Sequence, residues 1–381
     1  MEIGISQINI ALPSFFISTK ELAKKRGIDP SYSEKGIGVF ENRILFKERL
    51  EDLAQRALKK IKINDVERFF VATESDPDAS KPLGIKILSS ISQTKIPFQL
   101  KFACLAGLEA VLLACEYVFS YNKPAVVLMV DRSFYSSKNP KAELTQGACA
   151  IALRIEKNPK ILSFKFQKAG QYAYDLDDFK VPFYFFPFPE VNGELTKPVY
   201  LICLRNAFED WKKKERRIKN AVDYFDFFVM HTPFPKIVEW ASAIFWRHEE
   251  EKHHLGLETC IKKPSLFEIY KKEIDKVRQN ENFKHFFQKK VMPGLKYNPY
   301  VGNSYTCSIF VSLLGALEKA KKGQKIALAG YGSGAGAIFL ETKVKNSFKS
   351  DIETQLKKGK KVSINDYEKW RKKFSFSLKM I

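Results

Sequence analysis

Cysteine and histidine are scarce in this chain, with six of the first and five of the second among 381 residues. The cysteines (Cys104, Cys115, Cys149, Cys203, Cys260, Cys307) form no CxxC pair and follow no framework spacing. That excludes a disulfide-stapled secreted module and argues against a zinc ribbon. The opening Met1-Glu-Ile-Gly-Ile lacks the basic start of a signal peptide, and no apolar run approaches the ~18 residues of a membrane span. A reducing cytoplasm with free thiols is the simplest expectation. Acidic residues are in deficit too: 43 Asp and Glu against 64 Lys and Arg give a net charge of +21. The excess sits in short clusters, Lys212 to Arg217, Lys357 to Lys361 and Arg371 to Lys373, which solvated helix faces explain. None interleaves with aromatics as a stacking platform, so nucleic acid is not an expected partner. The positive total favours smaller anionic partners, such as phosphates, or an acidic carrier protein.

What is present is alternation. Ile3 to Ala11, Phe69 to Thr73, Ala125 to Val130 and Ala148 to Ile155 read as strands. Lys20 to Arg26, Phe46 to Ile61 and Lys81 to Ser92 read as helices, the first with a cap at Ser18 or Thr19. Such alternation predicts an α/β layered fold. Phe69-Phe-Val-Ala-Thr-Glu74 is echoed by Phe227-Phe-Val-Met-His231-Thr. Cys104 opens a helix and a strand starts 21 residues later at Ala125; Asn303 precedes a helix (Ser308 to Ala320) and a strand starts at Lys325. Matching order predicts a duplicated unit with a site shared between the halves. We place the halves at 1–165 and 166–381, the second carrying an insertion near 246–297. The aromatic segment Phe179 to Pro189 has no regular period, and its prolines argue against a helix; it packs as a buried loop or walls a pocket.

Gln99-Leu-Lys-Phe-Ala-Cys104-Leu-Ala-Gly-Leu108 is the most informative stretch. It sets one thiol at a helix start, where the macrodipole favours thiolate, among small neighbours that would admit a substrate. That context suits a covalent nucleophile. Glu74 ends a short apolar strand, where burial would raise its pKa and fit it for general acid–base work. His231 ends the equivalent strand of the second half. Asn303 offers a polar amide before an apolar helix. Gly330-Tyr-Gly-Ser333-Gly allows close backbone approach and N–H donation to an oxyanion. The run Arg247-His-Glu-Glu-Glu-Lys-His253-His254 lacks HExxH and reads more simply as a charged helix face than as a metal site. No metal is expected.

Together these residues resemble the 3-hydroxy-3-methylglutaryl-CoA synthases of the thiolase superfamily, in the bacterial form. The likeness runs from Ile3-Gly-Ile-Ser and Lys35-Gly-Ile-Gly38 through Ala72-Thr-Glu-Ser, Phe102-Ala-Cys and Thr145-Gln-Gly-Ala. It continues in His231-Thr-Pro-Phe-Pro-Lys236, Tyr300-Val-Gly-Asn-Ser-Tyr-Thr and Tyr331-Gly-Ser-Gly, and reaches Val362-Ser-Ile-Asn-Asp-Tyr367. It implies a thiolase-like five-layered αβαβα fold of two duplicated halves and a homodimer. It also implies an acyltransferase that needs no cofactor beyond its CoA thioester substrates, acetyl-CoA and acetoacetyl-CoA. Cys104 would carry the acetyl group, Glu74 would remove a methyl proton, and His231 would orient or polarise the acceptor. Thr145, Lys236, Asn303 and Ser333 match positions that contact CoA or the acyl group. The chain departs from the family at Leu108, where Thr is frequent, at Asp131-Arg132-Ser133, and in the aromatic stretch before Pro189. Two other readings stand beside the first. One is the same chemistry on a carrier-bound β-ketoacyl chain. The other is a non-catalytic scaffold that binds an acyl-CoA or a thiolase partner, against which the retention of Glu74, Cys104 and His231 counts.

Overall fold

The computed structural model describes residues 1–181 and 188–379. Ten strands build one mixed sheet. They are β1 (Ile3–Ala11), β2 (Arg68–Ala72), β3 (Pro97–Leu100), β4 (Ala125–Arg132), β5 (Ala148–Lys157), β6 (Leu162–Phe164), β7 (Gly170–Ala173), β8 (Phe227–Met230), β9 (Lys325–Gly332) and β10 (Gly336–Val344). The principal helices are α1 (Leu50–Leu58), α2 (Ala106–Tyr121), α3 (Thr196–Lys214), α4 (Pro235–Glu251), α5 (Ser308–Leu317) and α6 (Ile364–Lys379).

The strand order is β8-β9-β10-β6-β1-β5-β4-β2-β3, with β7 paired to β10. It reads alike from both directions. In the first half β2 runs parallel to β4, and β4, β5 and β1 follow antiparallel. In the second, β8 runs parallel to β9, and β9, β10 and β6 follow antiparallel. The halves join where β1 pairs with β6, so the second half begins by Leu162, a few residues before the expected 166. The echo between Phe69 and Phe227 is therefore a real equivalence: both segments occupy the same place in their halves.

Side-chain alternation sorts these strands into layers. On β4, Val126, Leu128 and Val130 face a core shared with α1, while Ala125, Val127 and Met129 face a second core. On β9, Ile326 and Leu328 join that second core, while Ala327, Ala329 and Tyr331 face a third with α3 and α4. The second core holds α2 and α5. Helices, sheet, central helix pair, sheet and helices make five layers, as the resemblance implied.

Apolar periodicity decides most elements. In α1, Leu50, Leu53, Ala54, Ala57 and Leu58 form one buried face, each leucine contributing about 2 kcal/mol by burial. The helix is shorter than the expected 46–61. The Arg49 backbone is extended, and its N–H donates to Asp52 at 3.3 Å, fixing the start. The expectation that no segment is apolar enough to span a membrane needs correcting. The helical stretch Ala103–Tyr121 is long and apolar enough, at 19 residues. Its cause is burial: 56% of the apolar window lies inside the protein, in the central layer. All six cysteines are free.

Behind this core lies a buried ion cluster. The Glu143 carboxylate has no solvent exposure. It accepts from Arg26 at 2.6 and 2.9 Å, from Arg371 at 2.8 Å and from the Tyr367 hydroxyl at 2.9 Å. Gln146 Nε2 donates to Tyr367 Oη at 2.6 Å. This ties α6, and the Val362–Tyr367 motif before and within it, to the Thr145–Gln146 turn. Removing one member strands the other charges in low dielectric. Glu143→Ala should therefore lose about 3–5 kcal/mol of stability, read as a lowered urea midpoint. An unchanged midpoint would deny the cluster that role.

Candidate active site

The loops at the carboxyl ends of β2, β8 and β9 carry Glu74, His231 and Ser333, and Asp131 lies near the carboxyl end of β4 itself. Cys104 lies in the turn leading into α2, which begins two residues later at Ala106. Ala103 adopts φ 42°, in the left-handed region, where a side chain costs on the order of 1 kcal/mol. The N–H groups of Leu105 and Ala106 close the turn on the Phe102 carbonyl at 3.0 and 3.2 Å. Gly332 of the other half lies against this turn: a Cβ there would sit 2.7 Å from the Phe102 carbonyl oxygen and from Leu105 Cβ. Gly107 likewise lets α2 approach the Thr306 carbonyl. The close approach expected of the glycine loop is thus made to the nucleophile's own turn.

Electrostatics overturn one sequence expectation. The helix start was expected to favour a Cys104 thiolate. Burial instead pushes the thiol well above its ordinary value, the Glu74 carboxylate beside it pushes further, and Asp131 adds to both. The residue's own backbone N–H works the other way and is the smallest contribution. Glu74 behaves as expected. Burial, then the Asp131 charge, raise it to about 8, opposed by the neighbouring Cys104 thiol. Glu74 is half-buried as a residue, yet its Oε1 is shut off from solvent and has no hydrogen-bond partner.

Asp131 organises this corner, and sequence reasoning noted it only as a departure. Its Oδ1 accepts from Thr73 Oγ1 at 3.0 Å, the Glu74 N–H at 2.7 Å and Ser75 Oγ at 2.8 Å. Its Oδ2 accepts from the Thr306 N–H at 3.2 Å and from the Thr306 hydroxyl. Burial raises Asp131 to about 6 against these donors. Its position inside an apolar strand was the available clue, since a buried carboxylate requires partners.

His231 is 1% exposed, and burial alone lowers it to about 3, so the imidazole is neutral. Its Nδ1 is enclosed without a hydrogen-bond partner. Its N–H donates to the Ala329 carbonyl at 2.8 Å, and its own carbonyl accepts from Tyr200 Oη at 2.6 Å. Asn303 is buried. Its N–H donates to the Thr145 carbonyl at 2.7 Å, its carbonyl accepts from Ser133 Oγ at 2.7 Å, and its Oδ1 accepts from the Tyr305 N–H at 3.1 Å. The Thr145 hydroxyl is spent on the Ala142 carbonyl at 2.8 Å. Ser333 is half-buried on a loop held by Asp178, which accepts from Tyr331 Oη at 2.8 Å and the Gly334 N–H at 2.9 Å. The Lys236 ammonium pairs with Glu239 at 2.7 Å.

Tyr305 was quoted in a motif but given no role. Its φ is 47°, matching Ala103 in the first half, and its hydroxyl is buried without a partner. Burial raises its pKa first, then Tyr135, Glu74 and Cys104. Phe179 packs on Tyr305 with ring centroids 6.2 Å apart, and Phe188 on Phe134 at 5.4 Å. The ends of the aromatic segment thus wall the site; its residues 182–187 lie outside the described residues. Leu108 is fully buried against Gly330.

The family described as hydroxymethylglutaryl-coenzyme A synthase C terminal matches residues 164–375. A hydroxymethylglutaryl-CoA synthase of Haloferax volcanii is 28% identical over 97% of this chain and 89% of its own. A solved HMG-CoA synthase complexed with CoA superposes with a TM-score of 0.79 at 27% identity, covering 97% of this chain and 90% of that one. A polyketide biosynthesis 3-hydroxy-3-methylglutaryl-ACP synthase of Bacillus subtilis is 24% identical over 88% of this chain and 79% of its own.

The two perturbed groups make opposite contributions to stability. His231 titrates near 6.5 when unfolded and near 3 when folded. Its contribution is complete above pH 6.5 and is lost as pH falls from there toward 3. Glu74 titrates near 4.5 unfolded and near 8 folded, so the folded state holds its proton longer and stability falls as pH rises between those values. Urea unfolding of His231→Asn should be flatter than the parent in the acid window. Glu74→Gln should be flatter in the neutral window and more stable than the parent at pH 8. Parallel profiles would refute the burial assigned to either group.

Proposed function

The chain belongs to the hydroxymethylglutaryl-CoA synthase family, and we propose that it condenses acetyl-CoA with acetoacetyl-CoA to 3-hydroxy-3-methylglutaryl-CoA, supplying the mevalonate route to isoprenoids in the cytoplasm. The observation that carries this reading is the Cys104–Glu74 pair: a thiol beside a carboxylate held at about 8 in a largely dry corner. Buried polar atoms are normally paired. Here Glu74 Oε1, His231 Nδ1 and Tyr305 Oη are not, which supports a site built for a polar ligand.

The resting thiol is protonated. As Cys104 attacks the acetyl carbonyl its proton passes to the departing sulfur, and CoA leaves as the thiol. The acetyl oxygen needs donors fixed in advance, and the backbone N–H groups of Cys104 and Ser333 are the candidates. Glu74, as its carboxylate, removes a methyl proton; its raised pKa makes it a stronger base than an exposed glutamate. The resulting carbanion adds to the acceptor's ketone, and the alkoxide formed takes up the proton that Glu74 now holds. His231, neutral, polarises that ketone by hydrogen bonding without a formal positive charge. Water then releases the product from sulfur.

A second reading has a carrier protein presenting the acceptor. The net charge of +21 and the likeness to the Bacillus ACP synthase favour it. Two observations suit a homodimer: β3 ends the sheet, and Ile96 and Phe98 beside it are 76% and 49% exposed. Pairing across that edge would cover them. Light scattering should give twice the chain mass at micromolar concentration; a monomer would refute the pairing.

Brief exposure to acetyl-CoA should add one acetyl group by intact-protein mass spectrometry, and Cys104→Ser should show none. Glu74→Ala should still acetylate, since exchange of one thioester for another does not need that base, while condensation falls roughly 10²–10⁴-fold. No adduct on the parent chain would leave the scaffold reading, and preserved condensation would eliminate Glu74 as the base. Running the acceptor as a CoA thioester and as a carrier thioester separates the first two readings by their rates.

A further inference from the structure

The histidine run after Trp246 does not form a simple charged face. His248 lies in the last turns of α4, and its side chain is only 12% exposed. Lys252 then takes φ 51°, a left-handed turn that swings the chain back, and His254 returns beside His248 with ring centroids 4.2 Å apart. Glu209, from the neighbouring helix α3, brings Oε1 to 2.5 Å from His248 Nε2. One ligand atom from each of the three residues lies within 4.8 Å of the other two. His248 Nδ1 is enclosed and has no hydrogen-bond partner.

Arg205, the nearby cation, is turned toward the Leu255 carbonyl at 3.0 Å and the Glu258 carboxylate. Two imidazole nitrogens and one carboxylate oxygen form a donor set suited to Zn²⁺, with the fourth position left to water. Tetrahedral ligands at ~2.0–2.1 Å lie about 3.3 Å apart, so the cluster needs only a small side-chain adjustment to close on an ion.

We propose that Glu209, His248 and His254 form a zinc-binding site, with water completing the coordination. It clamps the segment following α4 to the outer helical layer, where the ion joins two helices and the loop between α4 and the helices beyond it. It is separate from the acyl-transfer chemistry and does not depend on it.

The test uses the full untagged chain, stripped of metal with a chelator and titrated with Zn²⁺ by calorimetry. One equivalent per chain should bind with micromolar or tighter affinity, and Co²⁺ should give the visible bands of a four-coordinate site. His254→Ala and Glu209→Gln should each weaken binding at least ~10-fold. Zinc should raise the melting temperature of the parent and lose that effect in both variants. His254 is exposed, so its replacement leaves the fold intact, and circular dichroism confirms this. Binding no tighter than millimolar, or an affinity unchanged in both variants, would overturn the site.

Discussion

Asp131 accepts hydrogen bonds from both halves of the chain at once, and the reactive corner depends on this. Thr73, the Glu74 N–H and Ser75 reach it from the first half, and Thr306 from the second. A carboxylate buried in an apolar strand is costly unless its lone pairs are filled. Here the donors that fill them are the backbone and side chains flanking the proposed base. One group therefore fixes the position of Glu74 and raises its pKa. It also locks α5 of one half against β4 of the other.

The same low dielectric decides between two effects at Cys104. A helix end contributes about 0.3–1 kcal/mol toward an anion at an exposed site. Burial and a neighbouring carboxylate outweigh that here, and the thiol stays protonated at rest. Nucleophile and base are thus both held protonated at rest, and neither is charged without cost until a substrate arrives. The outcome is restraint: a protonated thiol is a poor target for stray oxidants and electrophiles.

Local pattern made the scaffold legible. Ile3–Ala11 follows from apolar residues interleaved with Ser6, Gln7 and Asn9, the start of β9 at Lys325 from an unbroken apolar run, and the central helix α2 from a longer one. The duplication was visible because equivalent strands keep similar sequences. The overlong expectation for α1 came from Phe46 and Ile61, whose apolar character fits the helical period although both lie outside the helix. Glu74, Cys104 and His231 could be singled out because each ends a recognisable element. Asp131 and Thr306 could not, because their bond spans 175 positions and neither neighbourhood announces the other. The sign of the Cys104 shift was hidden for the same reason: burial belongs to the assembled protein, whereas the helix end is local. The clustering of Glu209 with the histidines likewise needed the packing of α3 on α4.

The doubled turn has a consequence for how the chain is made. Ala103 and Tyr305 adopt the same left-handed backbone before equivalent helices, so Cys104 and Thr306 occupy matching positions, one reactive and one structural. Ribosomal synthesis delivers the reactive copy first. Until Thr306 emerges, two of the donors to Asp131 are missing and α5 cannot cover the central layer. The reactive corner is assembled only once Thr306 has been made, about two hundred residues after its nucleophile.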